Sequence, residues 1–112
     1  MNALHVRDLR AFVQCPPGGE RPVLLDVREA WERANARIEL PEADSLHVPL
    51  HQLPDALPTL PRSQPIVCIC HHGVRSLQAV AFLLRAGFTD VYNLAGGTDA
   101  WSMEVDPGVA RY

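Results

Sequence analysis

Short apolar runs alternate along this chain with segments of helical period, and proline and glycine separate them. "PVLLDV" (22–27) and "PIVCIC" (65–70) are continuous apolar stretches, the first closed near Asp26 and the second opened by Pro65. "SLHVPL" (45–50), "VYNL" (91–94) and a few residues around 3–5 are shorter candidates. Strands apolar at every position are covered on both faces, which points to a parallel sheet. Between them, "VRDLRAFV" (6–13) sets Leu9, Phe12 and Val13 on one helical face. "REAWERAN" (28–35) predicts a short helix with charge on most faces, and "HQLPDAL" (51–57) a turn of helix with Pro54 near its start. The strongest pattern is "RSLQAVAFLLRA" (75–86), where Leu77, Val80, Ala81 and Leu84 follow the spacing of an amphipathic helix. Gly87 then suits a left-handed residue past the helix end, with apolar Phe88 after it. "CPPGGERP" (15–22), "LPEAD" (40–44) and "LPTLPRSQP" (57–65) are breaks, and the glycines at 18–19 form a plain turn with no phosphate-loop context. Strand and helix alternate, so the expected architecture is an α/β domain with a mainly parallel sheet.

Composition narrows the class. A chain of 112 residues suits one domain around one core, and 47% hydrophobic with 21% charged residues is the balance of a globular protein. The net charge of −3 comes without a basic run, which argues against nucleic acid as a partner. No apolar run approaches membrane-spanning length. Arg7, Asp8 and Arg10 interrupt any apolar core of a signal peptide. Cys15, Cys68 and Cys70 are an odd set and no disulfide framework, so a reducing, cytoplasmic setting is expected.

The candidate chemistry lies in "CICHHGVRS" (68–76). Two cysteines and two histidines invite a zinc reading, but structural zinc sites take paired ligands from two separate knuckles, and here there is one cluster. Cys68 lies two residues before Cys70 on a strand, hence on the same face, and reads as core filler. A redox pair of the two meets disulfide geometry poorly. Position favours another chemistry. The strand ends at Cys70 and the helix begins near Arg75 or Ser76, so residues 71–74 form a tight loop at the carboxyl end of a strand, where open α/β sheets bind ligands. Unpaired N–H groups of the loop and helix start form an anion cradle. Gly73 allows the backbone to curl, and Arg75 adds a fork of donors. A cysteine at the base of such a cradle is placed to react as a thiolate.

These residues resemble the active-site loop of rhodanese-type sulfurtransferases. "LLDVRE" (24–29) resembles that family's strand-and-turn signature, and "NLAGGTDAW" (93–101) its Gly-Gly signature leading to a Trp. The three lie in family order over roughly residues 4–103, leaving 104–112 as a surface extension. The resemblance implies a three-layer α/β fold with a five-stranded parallel sheet. It implies that Cys70 is the catalytic nucleophile, taking a sulfane sulfur from a small anionic donor such as thiosulfate and passing it to cyanide, a thiol or a sulfur-accepting protein. It further implies that the loop from His71 through His72, Gly73, Val74, Arg75 and Ser76 holds the sulfur and the anion, with Arg75 facing substrate. No metal or organic cofactor is implied. Asp26 reads as a brace for loop N–H groups, and Arg28 as either a structural ion pair or part of the pocket rim. Trp101 reads as a packing anchor.

Two other readings remain. Related phosphatases on this scaffold carry one more residue between Cys and Arg, so the shorter loop here favours sulfur over a phosphoryl or arsenate group. A non-catalytic binding module would have no chemical need for Cys70 or Arg75. The chain departs from the family where Ala36, Arg37 and Ile38 stand in place of a Gly-His-Ile sequence, which leaves open whether Arg37 faces the pocket.

Overall fold

The computed structural model describes residues 2–112. Along the chain lie β1 (Asn2–His5), α1 (Leu9–Gln14), β2 (Val23–Asp26), α2 (Ala30–Asn35) and β3 (Asp44–His47). They are followed by α3 (Leu53–Ala56), β4 (Ile66–Ile69), α4 (Val74–Arg85), β5 (Val91–Ala95) and α5 (Gly97–Glu104). Short 3-10 turns flank α1 and α3. The strands form one sheet in the order β1-β5-β4-β2-β3, and every pairing is parallel. Five parallel strands with helices packed on the sheet are the architecture expected from the alternating pattern. Among the described residues no helix is long and apolar enough to cross a membrane.

Strand side chains alternate between faces, and each face builds its own core. Leu25, Ile66 and Cys68 point to the side of α3 and α4, where they meet Leu53, Ala79, Val80 and Leu83. Leu24, Val67 and Ile69 point to the other side, against Leu9 and Val13 of α1 and Trp101 of α5. The central strands β2 and β4 are buried at every position, which is why they read as unbroken apolar runs.

Two expectations about helices need correction. The buried stripe of α4 is Ser76, Ala79, Val80 and Leu83, while Leu77 and Leu84 are 42% and 40% exposed. The helix is turned by about one residue from the face that its leucines suggest. The cause lies at its first turn: Ser76 is held inward on Cys70 and Asn93, and a rigid helix carries that rotation along its length. The second is α5. A Gly-Gly turn ending in a packing Trp was expected; the turn instead opens an eight-residue helix whose inner face carries Thr98, Trp101 and Ser102. Trp101, at 2% exposure, is the anchor the sequence suggested.

The segment after α5 is more than a surface extension. The N–H groups of Val105 and Asp106 both reach back to the Trp101 carbonyl. Ser102 Oγ donates to the Val109 carbonyl, Val109 packs against the second core, and Arg111 pairs with Asp99 at 2.9 Å. Together these contacts lead the chain back toward the carboxyl end of β4.

Candidate active site

Cys70 follows the last residue of β4, the middle strand of the sheet, and is 1% exposed. The loop turns at Gly73, whose φ of 99° lies in the left-handed region open to glycine, and α4 begins at Val74. The Gly73 and Ser76 N–H groups donate to Cys70 Sγ at 3.1 and 3.3 Å. Ser76 Oγ stands 3.2 Å from the same sulfur. Three groups thus converge on one sulfur at the N-terminus of a twelve-residue helix, an arrangement that stabilises negative charge there.

Ser76 links the sulfur to the sheet. Its hydroxyl donates to Asn93 Oδ1 on β5, and Asn93 Nδ2 donates to the Gly73 carbonyl at 3.2 Å. A serine hydroxyl carries a single proton. Given to Asn93, it leaves the oxygen facing Cys70 Sγ as an acceptor; turned to the sulfur, it leaves Asn93.

The loop is gripped from outside by α5. Thr98 N–H donates to the Cys70 carbonyl at 2.9 Å and Asp99 N–H to the His71 carbonyl at 3.1 Å. Gly97 lies against the same carbonyls, with φ 61° and no room for a Cβ. The glycine signature of 96–97 and the cysteine loop are therefore two halves of one structure.

Arg75 turns its fork onto Glu32 of α2, with N–O distances of 2.6 and 2.7 Å. Glu32 also accepts the Glu29 N–H at 2.8 Å. Arg75 holds the Glu32 carboxyl down to about 2, and the pair raises the guanidinium in turn. Arg75 was expected to face an anionic substrate directly; here most of its charge is already matched, although 35% of its side chain stays exposed.

Arg28 is not at a pocket rim. It is wholly buried and is the centre of a structural cluster. Its side chain donates to both Asp26 oxygens at 2.9 and 2.7 Å, to the Ala36 and Glu32 carbonyls, and to the Tyr112 hydroxyl at 2.9 Å. Burial works against the charge, but the bonds to Asp26 and Tyr112 outweigh it and raise its pKa. Asp26 also accepts the Arg28 N–H at 3.1 Å. Ala36 supplies only its carbonyl. Arg37 is exposed, pairs with Glu39 at 2.9 Å, and lines a hollow with Arg10, Trp101 and Val109 on the second-core side of the sheet.

His71 and His72 rim the loop with ring centroids 3.9 Å apart. Burial, then the neighbouring His72, lowers the His71 pKa, so that ring is neutral near pH 7. His72 is 63% exposed and lies 3.9 Å from Asp99. Val74 projects outward, 67% exposed. Cys68 is buried in the core, and burial pushes its thiol up to about 12, as inert filler requires.

The outlines of this site meet those of known proteins. The profile of the rhodanese-like domain matches residues 13–104. The chain belongs to the rhodanese-like domain family. It is 36% identical over 91 residues to a sulfurtransferase of Allochromatium vinosum, covering 81% of each chain. It is 37% identical over 79 residues to the thiosulfate sulfurtransferase GlpE of Pseudomonas savastanoi pv. phaseolicola, covering 70% of this chain and 71% of that one. The crystal structure of a rhodanese-related protein from Thermoplasma volcanium superposes with a TM-score of 0.80 at 28% identity, covering all of both chains.

Reading the sequence for this rhodanese-like domain missed Glu32, Asn93 and Tyr112. Asn93 carried a signal, a lone amide in an apolar strand at the edge of a Gly-Gly signature. Glu32 sat unmarked among the charges of 28–35, and Tyr112 in an extension without a pattern.

Proposed function

We propose that this domain is a sulfurtransferase in which Cys70 carries sulfur as a persulfide. The observation that carries the reading is the convergence of the Gly73 and Ser76 donors on Cys70 Sγ. In the first step the thiolate attacks the outer sulfur of thiosulfate. A sulfur–sulfur bond forms to Cys70, the bond to the sulfonate sulfur breaks, and sulfite leaves with the electron pair. In the second step cyanide or a thiolate attacks the terminal sulfur, and Cys70 leaves as thiolate. Charge balances in both steps without a proton donor, which fits a rim where His71 is neutral and Arg75 is paired.

Residues His71 to Ser76 surround the transferred sulfur in this reading, with free N–H groups of the loop holding the persulfide. Arg75 acts mainly by fixing the loop to α2, and its exposed edge meets the donor's sulfonate. The relatives named sulfurtransferase support the transfer chemistry, and the relative named for thiosulfate supports that donor. Three free cysteines, one of them exposed, support a reducing compartment such as the cytoplasm.

The test is direct. Thiosulfate should add one sulfur atom to the intact protein at Cys70, cyanide should remove it as thiocyanate, and Cys70→Ala should do neither. A wild-type protein that gains no sulfur from thiosulfate and yields no thiocyanate would sink the reading.

A further inference from the structure

The segment after α5 returns to the catalytic loop and ends its path on an aromatic contact. The Tyr112 ring stacks on His71 with centroids 3.9 Å apart and planes at 12°. His72 lies at the same distance from His71, tilted by 32°. Two rings cannot share one face of an imidazole at that distance, so His71 is held between them. Trp31 of α2 packs its edge on Tyr112 at 5.9 Å. Trp31, Tyr112, His71 and His72 therefore form a continuous wall from α2 to the loop above Cys70.

The wall is fixed at several points. The Tyr112 hydroxyl accepts from Arg28 Nη1 at 2.9 Å and donates to Glu32 Oε1 at 3.1 Å. Glu32 is the carboxylate that pins Arg75. Just before Tyr112, Arg111 grips Asp99, the residue whose N–H holds the His71 carbonyl. Tyr112 thus touches two parts of the loop region, His71 directly and Arg75 through Glu32. With the sulfur 1% exposed at the loop's base, a reagent reaches it only past the residues of that rim.

We propose that Tyr112 is a specificity-determining residue: its ring locks His71 across the entrance, so that Cys70 meets compact sulfur donors and acceptors and is screened from bulky thiols. This rests on the sulfurtransferase reading for its substrates, but not for its geometry. In a Cys15→Ser background, which removes the exposed thiol, Cys70 alkylation is followed by peptide mass mapping with iodoacetamide and with a pyrenyl maleimide. Tyr112→Ala should raise the bulky-to-small rate ratio by about tenfold, the low end of what steric discrimination in a pocket achieves. Tyr112→Phe, which keeps the ring, should leave the ratio near wild type. His71→Ala, which removes the ring that Tyr112 locks and leaves the buried partners of Tyr112 in place, should shift it the same way as Tyr112→Ala and carries the test if that variant does not fold. In turnover, the ratio of kcat/KM for glutathione to that for cyanide should rise in step. An unchanged alkylation ratio in folded Tyr112→Ala overturns the proposal. So does a Phe variant that shifts as far as Ala, because the hydroxyl and not the ring would then set the entrance. Should Tyr112→Ala not fold, an unchanged ratio in His71→Ala overturns it. A wild-type protein that takes no sulfur from thiosulfate would remove the sulfurtransferase reading while leaving the alkylation result to decide the wall.

Discussion

At the scale of single residues, the site depends on which atoms share a proton and which share a charge. Ser76 is the sharpest case, because its N–H and hydroxyl both face Cys70 Sγ and the hydroxyl is steered by Asn93. Ser76→Ala keeps the N–H and removes the hydroxyl. Persulfide formation from thiosulfate should slow by about 100-fold, the low end for the loss of one preorganised donor, in a stopped-flow or quench assay. A rate within twofold of wild type would mean that the N–H groups suffice. Glu32 makes a second case. Its carboxyl is depressed from 4.5 to about 2 by Arg75 and the Glu29 N–H. A carboxyl depressed in the folded state adds stability that is fully present above pH 4.5 and is lost as pH falls toward 2. Glu32→Gln should flatten that part of the pH–stability curve, by about 2 kcal/mol with allowance for the partly exposed Arg75. Urea unfolding from pH 6 to pH 2.5 checks it.

At the scale of elements, α4 shows how a site can turn a helix. Apolar spacing alone favours Leu77 and Leu84 as inner positions, yet the chain buries Ser76 and Leu83. Leucines occur on more than one side of this helix, so periodicity could not choose between adjacent faces. The polar contacts of the first turn made the choice. Leu83→Ala should then cost about 2–4 kcal/mol in urea unfolding, the range for an emptied core position. Leu84→Ala should stay within about 1 kcal/mol, as surface positions do. A larger loss at Leu84 than at Leu83 would restore the face that the leucines suggest. The element missed altogether, α5, begins in left-handed glycines at 96 and 97, and glycine is a weak sign of a helix start. Its purpose is local: its first N–H groups close on the carbonyls of Cys70 and His71.

At the scale of the whole molecule, one polar network, bridged by the Tyr112 hydroxyl, joins distant parts of the chain around the loop. Glu32 and Arg75 are 43 residues apart, and Arg28 and Tyr112 are 84 apart. Arg28 is wholly enclosed, so Arg28→Ala would leave the Asp26 carboxylate with the residue 28 N–H and Arg33 at 3.4 Å. The expected cost is about 3–5 kcal/mol, that of breaking a buried pair by removing one partner, and a thermal melt should show it as a large fall in Tm. A fall of only a degree or two would mean that the Arg28 cluster contributes little to stability. The sequence by itself determined the parallel α/β sheet, the place of Cys70 between strand and helix, and the family, because apolar runs, glycines and a short motif are local signals. It could also place Asp26 and Cys68, whose surroundings follow from their own strands. Only the tertiary structure decided that Arg75 is matched by Glu32, that Arg28 is core, which face of α4 is inside, and that Tyr112 lies on His71. The first and last of those join residues far apart in sequence, and the other two rest on packing and polar contacts that no local pattern names.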